Sequence, residues 1–260
     1  MSKKKNRLRE IFSILHKNGE ISVKDLADHL LTSEMTIRRD LDVLEEEGII
    51  RRVHGGAILA TSYTANDRNQ YLFGTEIQKN IKQKSLVGLK ASSMINPGET
   101  VSFDIGTTIP FVAKYLPRDI SISAVCLTFE CAEELYNKKN VNLILPGGYL
   151  HRESDVFSSD TGTELLRKIR TDKAFISAGG IDQQLGVTCY HDFHVVLKEI
   201  MMKSSKKKIL VADSSKFGNV KLAHFADLAD MDTIITDENI PEAYRKLIEE
   251  IGIELIIAKE

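Results

Sequence analysis

The chain has 260 residues, 42% hydrophobic and 28% charged, with 16 Gly and 5 Pro, which is room for two modest domains with packed cores and excludes collagen-like, mucin-like and wholly disordered chains. A net charge of -2 excludes a surface that is basic throughout, so any nucleic-acid footprint has to be local. Three cysteines (Cys126, Cys131 and Cys189), an opening Met1-Ser2-Lys3-Lys4-Lys5 that runs into an amphipathic stretch, and uncharged runs such as Ile120 to Phe129, about half of the roughly 20 residues a membrane span needs, point to a reducing cytoplasm and no membrane partner.

Leu8, Ile11, Phe12 and Leu15 recur at helical spacing and predict a first helix that Gly19 ends. Ser22 is placed to cap a second helix carrying Val23, Leu26, Ala27 and Leu30, and after a break at Leu31-Thr32, Ser33 caps a third. In that third helix Ile37, Leu41 and Leu44 turn inward, leaving Thr36, Arg38 and Arg39 outward near its N-terminal end. A helix that enters the major groove carries its base contacts there, since Arg can fork onto guanine while hydroxyls hold phosphates. Gly48 ends the helix, and Ile50 to Val53 and Ala57 to Leu59 read as a hairpin around His54-Gly55-Gly56, with Arg51 and Arg52 on it. Residues 1–60 hold 11 Lys or Arg against 10 Asp or Glu, yet Lys3, Lys4, Lys5, Arg7 and Arg9 crowd the start and Glu45 to Glu47 the far end of the third helix.

Thr36-Ile37-Arg38-Arg39-Asp40-Leu41, Leu44-Glu45, Gly48 and Arg51-Arg52-Val53-His54-Gly55-Gly56-Ala57 closely resemble the DNA-binding signature of the DeoR family of bacterial transcription regulators. The resemblance implies a winged helix-turn-helix over 1–59, with double-stranded operator DNA as partner. Its candidate contacts are Ser33, Thr36, Arg38, Arg39, Arg51, Arg52, His54 and Gly55.

Residues 60–71 are polar and without apolar period, as an interdomain connection is, and a linker is expected over 60–75. A helical pattern through Ile77, Ile81, Leu86 and Leu89 is expected from Glu76 to Met94, stopped by Asn96-Pro97-Gly98. Short apolar runs then alternate with helical segments: Val101 to Phe103, Ile120 to Val125, Val141 to Leu145, Ala174 to Ser177, Ile209 to Ala212, Thr233 to Thr236 and Glu254 to Ile257. The fold class expected for 76–260 is therefore α/β with a mostly parallel sheet, and ligands of such sheets bind beyond the carboxyl ends of the strands.

The loops after the runs are Asp104-Ile105-Gly106-Thr107-Thr108, Pro146-Gly147-Gly148 with Arg152 beyond it, Gly179-Gly180-Ile181-Asp182, and Asp213 to Gly218 with Lys216. Glycines let backbone approach an anion, hydroxyls donate, Arg152 and Lys216 supply positive charge, and Asp104, Asp182 and Asp213 can accept from hydroxyls. Together they suit a phosphorylated polyol. The loop order also looks like the DeoR sensor domain, whose fold is similar to ribose phosphate isomerase; that resemblance implies phosphosugar binding by Asp104, Gly106, Thr107, Thr108, Gly147, Gly148, Lys198 and Lys216. The chain departs from the family at Thr128-Phe129, where Thr-Asn is usual, and at His191-Asp192-Phe193-His194, where acidic residues are usual.

Two rivals carry less. A sugar-phosphate isomerase needs a general base at a motif position, and none can be assigned. Cys189, His191, Asp192 and His194 are metal-ligand types, but structural zinc sites use two separated pairs, so no metal and no cofactor is expected. The reading is a repressor of a sugar or polyol operon, a homodimer or homotetramer whose operator affinity a phosphorylated sugar controls.

Overall fold

The stripe Leu8, Ile11, Phe12 and Leu15 is buried on one side of α1 (Lys3–Asn18), and Gly19 leaves the helix in a left-handed conformation (φ 82°). The computed structural model describes residues 3–53, 55–60 and 71–260. After α1 come β1 (Glu20–Ser22), α2 (Val23–His29), α3 (Glu34–Glu46), β2 (Ile50–Val53) and β3 (Gly56–Leu59). Ser22 and Ser33 cap α2 and α3 by accepting from Asp25 N at 3.0 Å and Thr36 N at 3.2 Å. The three strands form an antiparallel sheet in the order β1-β3-β2. β1 is an addition to the sequence reading. Its three residues are too short to show a period, and it exists because Gly56 lacks a side chain: a Cβ there would overlap the Ile21 carbonyl oxygen.

The single helix expected from Glu76 to Met94 is two, α4 (Phe73–Glu76) and α5 (Ile81–Ser92). Asn80 takes left-handed backbone (φ 51°) at the break and its amide donates to Asp213 Oδ1 and Ser215 Oγ, each at 3.0 Å. Hydrogen bonds to a loop far along the chain thus stabilise a break that local propensity does not ask for. The buried side of α5 is Lys84, Val87, Gly88 and Ala91, while Ile81 and Leu89 of the expected stripe are half exposed.

All seven apolar runs are strands of one parallel sheet: β4 (Thr100–Phe103), β5 (Ile122–Cys126), β6 (Val141–Ile144), β9 (Thr171–Ile176), β12 (Ser205–Val211), β14 (Thr233–Asp237) and β15 (Glu254–Ala258). They lie in the order β15-β14-β12-β9-β4-β5-β6. Successive residues face opposite sides, so Phe175, Ile209 and Val211 join one core with α5, α6 (Ile109–Lys114) and α7 (Phe129–Tyr136). Ala174, Ile176 and Leu210 join another on the opposite face, with α10 (Glu242–Glu250). A smaller core holds α8 (Asp160–Lys168) and α9 (Phe193–Lys203).

Shorter strands decorate this sheet: the hairpin β7 (Tyr149–His151) and β8 (Val156–Ser158), and an antiparallel sheet of β10 (Gly180–Asp182), β11 (Gly186–Cys189) and β13 (Ala223–Ala226). Gly180 to Asp182, expected as loop, are therefore strand. This small sheet docks the N-terminal domain. Leu185, in the β10–β11 turn, and Val220 enter the core of α1, α2 and α3, while Arg9 of α1 pairs with Asp227 and donates to Leu185 O at 3.3 Å. Among the described residues no helix is long and apolar enough to cross a membrane.

Candidate functional site

Arg38 and Arg39 stand exposed on α3, with Thr36 half-buried at its start. Arg38 reaches Glu34 at 3.4 Å, a surface pair one turn apart that is weak enough to exchange for a phosphate or base. Arg39 and Arg51 make no ion pair or side-chain hydrogen bond among the described residues, and both are exposed. Gly55 has φ 81°, as the tight wing turn requires, and His54 lies outside the described residues.

Three other arginines have structural work. Arg52 NH1 holds Asp42 at 2.6 Å, and its backbone N–H donates to Glu45 Oε1 at 2.8 Å, which ties the wing to α3. Arg7 forks onto the buried Asp40 carboxylate, and that hydrogen bond raises its own pKa. Arg9 serves the domain interface described above. The basic crowd at the start of the chain thus divides: Arg7 and Arg9 turn inward and fix α1, while Lys3 and Lys4 stay on the surface.

The order of the parallel sheet places the second site. From β4 the chain adds β5 and β6 on one side, then returns to add β9, β12, β14 and β15 on the other, so the direction of winding reverses between β4 and β9. Loops leaving two such strands diverge and open a crevice beyond their carboxyl ends. That crevice is lined by Ile105 to Thr108 after β4, by Ser177 to Gly179 after β9, and by Tyr71, Glu76, Cys189, Tyr190, His194, Lys198 and Lys216. Gly106, at φ 146°, presses against Ser177, and a Cβ there would overlap its hydroxyl. The Ser177 hydroxyl donates to Ile105 O at 2.5 Å, joining the two loops.

Beneath the crevice Lys198 and Asp104 form a buried ion pair, their side chains 2% and 0% exposed. Lys198 Nζ also donates to Ser177 O at 3.0 Å and Ile105 O at 3.2 Å and lies 4.8 Å from the centre of the Phe225 ring. Asp104 Oδ2 accepts from Ser177 N at 2.9 Å. Burial and the neighbouring Lys198 push the His194 imidazole down to about 2, so this ring is neutral at physiological pH, with Nε2 buried and unpartnered among the described residues. Burial likewise raises the Cys189 thiol to about 12 and removes its reactivity. Lys84, on the buried side of α5, donates to Glu76 O; burial and nearby Lys216 lower it to about 8.

Of the residues expected to hold a phosphosugar, Gly106, Thr107, Thr108, Lys198 and Lys216 come together at this crevice. Asp104 lies under it, paired with Lys198 and accepting from Ser177 N. Gly147, Gly148 and Arg152 belong to the β7 hairpin and do not line it; Gly148 (φ 110°) packs against Ser158. Asp182 sits at the domain interface, where its carboxylate caps the β10–β11 turn by accepting from Gln184 N and Leu185 N, each at 2.8 Å. The sequence reading missed Tyr71, Glu76, Ser177, Tyr190, His194 as a lining group, and Lys84. Only Lys84 left a local signal, a lysine on the same helical face as Val87, Gly88 and Ala91. Among the described residues no group of three or more His, Cys, Asp or Glu side chains is placed to hold a metal ion.

Comparison with known proteins follows the same division. A DeoR-like helix-turn-helix domain matches residues 7–63, and a DeoR C terminal sensor domain matches residues 79–238. The HTH-type transcriptional regulator GlpR of Haloferax volcanii is 32% identical over 96% of both chains. The HTH-type transcriptional repressor GlcR of Bacillus subtilis is 30% identical over 98% of this chain and 96% of its own. The deoxyribose operon repressor of Escherichia coli is 29% identical over 91% of each. Among solved structures, ribose 5-phosphate isomerase A of Methanocaldococcus jannaschii aligns over 66% of each chain at 17% identity, with a TM-score of 0.40.

Proposed function

Because this chain belongs to the DeoR family of transcriptional regulators, we propose that it represses a sugar or polyol operon in the cytoplasm, and that a phosphorylated sugar in the β4–β9 crevice sets its grip on operator DNA. One observation carries the ligand class: Gly106, Thr107 and Thr108 meet Lys216, more than a hundred residues further along the chain, at the winding reversal of the sheet. Two hydroxyls and a lysine beside the Gly106 turn match a phosphoryl group, and the polar wall of His194 and Glu76 matches sugar hydroxyls. The exposed Arg38, Arg39 and Arg51 supply the DNA contacts, with the protein acting as a homodimer or homotetramer across paired half-sites.

Control is linkage between two sites. A ligand that binds the DNA-free arrangement better by about 1 to 3 kcal/mol lowers operator affinity by roughly 5- to 150-fold. The sugar phosphate is sensed and released unchanged. The test measures melting of the full chain with pentose, hexose and polyol phosphates, then fluorescence anisotropy of DNA from upstream of its own gene with and without any that stabilise. A stabilising sugar phosphate that also releases the DNA is the expected result. Sugar phosphates without effect on melting or on DNA binding would refute the ligand class, and turnover of the ligand would refute sensing without catalysis.

A further inference from the structure

The crevice described above leaves a cavity of only about 30 Å³, space for one or two waters, whereas pockets for sugar-sized ligands run to roughly 300 Å³ or more. One wall has to move. The loop after β4 is fixed from below by Ser177 and Lys198. Tyr190 is equally fixed: its ring packs over Gly179, where a Cβ would come within 3.0 Å, and the Lys221 ammonium lies 5.0 Å from its centre. Lys198 and His194 are buried in α9. Glu76 is held through its carbonyl by Lys84, and Lys216 is part of the phosphate anchor, which leaves Tyr71, whose ring lies 4.2 Å from that of Tyr190 at an interplanar angle of 32° and meets His191 edge-on at 5.7 Å. Tyr71 belongs to none of the sheets and precedes α4.

We propose that Tyr71 and Tyr190 are the two jaws of a sugar clamp, and that a ligand anchored by its phosphate at Thr107, Thr108 and Lys216 parts these rings and inserts its sugar between them. The proposal rests on the phosphosugar reading and adds the residues that read the sugar. C–H faces of a sugar ring pack on aromatic faces, so ring–ring contact is replaced by ring–sugar–ring contact with little loss of apolar burial. Tyr190 is the fixed jaw, held in the sensor domain. Tyr71 is the moving one, and it is the described residue at which the chain arrives from the DNA-binding domain. Parting the jaws therefore shifts Tyr71, which lies at the sensor-domain end of the chain between the two domains.

The experiment uses the full chain and four probes: ribose 5-phosphate, glucose 6-phosphate, fructose 6-phosphate and inorganic phosphate, which has no ring to insert. The chain has 7 Tyr and no Trp, so near-ultraviolet circular dichroism reports on tyrosine packing. A sugar phosphate that raises the melting temperature should change this signal, and inorganic phosphate should not. In Tyr71→Ala, release of upstream DNA by that sugar phosphate should fall from at least about 5-fold to under about 2-fold while binding of the DNA itself is kept; Tyr71→Phe, which retains the ring, should restore release. A cooperative melt and a wild-type far-ultraviolet spectrum show that the variant folds, and a Tyr71→Ala protein that does not fold leaves the spectral arm on the wild type to decide. If none of the three sugars stabilises the wild type, the crevice reading and the clamp fall together. If one stabilises it with an unmoved tyrosine spectrum, or releases DNA from Tyr71→Ala as from the wild type, the clamp alone is overturned.

Discussion

Replacing Lys198 by Met tests the assignment of this lysine as the keystone under the crevice. Its ammonium pairs with Asp104 and donates to Ser177 O and Ile105 O, and side-chain exposure is 2% for the lysine and 0% for the aspartate. Hydrogen bonds from a charged group contribute about 1.5 to 3 kcal/mol each, so the gross interaction is on the order of 5 to 9 kcal/mol. Desolvation of the ammonium offsets part of this, but the substitution also strands a buried carboxylate, and breaking a buried pair from one side costs about 3 to 5 kcal/mol. Against total stabilities of about 5 to 15 kcal/mol this is a large share. Urea denaturation followed by far-ultraviolet circular dichroism should show the loss. The double variant Asp104→Asn, Lys198→Met, which removes both charges, should recover part of it. A single variant within about 1 kcal/mol of wild type, or a double variant no better than the single, would refute the reasoning. Below the midpoint the variant should still bind upstream DNA, because nothing in α3 touches this pair.

Arg39→Ala and Arg38→Ala should each weaken operator binding by about 1 to 3 kcal/mol if the side chain forks onto a base, whereas Arg51→Ala should lower the salt slope by about one unit; anisotropy across a salt series separates these, and unchanged affinity in both helix variants would dismiss α3 as the reading element. Gly106→Ala should keep DNA binding and lose ligand stabilisation, since a Cβ overlaps the Ser177 hydroxyl; an unimpaired ligand response in the melting assay would contradict it. Leu185→Ala should cost the N-terminal domain about 2 to 4 kcal/mol, because this sensor-domain side chain is buried in the helix-turn-helix core; hydrogen exchange in α1 and α3 reports it, and unchanged protection there would count against the docking. Burial and the charge of Asp182 hold the Glu47 carboxyl up to about 7, with Lys4 opposing and Glu46 adding. A carboxyl raised above its unfolded value of about 4.3 makes stability fall as pH climbs from about 4.3 to about 7 and level off above. Because Glu47 is only partly buried and keeps contact with solvent, the effect should stay under about 1 kcal/mol, and Glu47→Gln should flatten it in melts between pH 5 and 7.5.

Legibility in the sequence followed the range of the forces involved. Helix ends at Ser22, Ser33 and Gly19 are set by hydrogen bonds and backbone strain within a few residues, so they could be read locally. The seven apolar runs announced seven strands because burial on both faces imposes continuous hydrophobicity. β1, β10, β11 and β13 escaped because they are three or four residues long; β10 and β11 form a local hairpin too short to show a period, while β1 and β13 are stabilised by partners distant in the chain. The break at Asn80 escaped for the same reason. The Gly106 to Thr108 loop and Lys216, grouped from the sequence, do meet at one crevice, but Asp182 has the same local appearance and spends its carboxylate on a turn.

The amino-acid order alone determined a helix-turn-helix with a wing and an α/β domain after it, since each follows from periodicity, caps and turn chemistry over short spans. Tertiary structure decided which strands are neighbours, and so that the winding reverses between β4 and β9 and makes that end of the sheet the crevice. It also turned Arg7 and Arg9 inward, buried Lys198 on Asp104, and set Tyr71 against Tyr190. A period of two states which residues face a core but not which strand lies alongside, and contacts between residues a hundred positions apart acquire their energy only once the chain has closed around them.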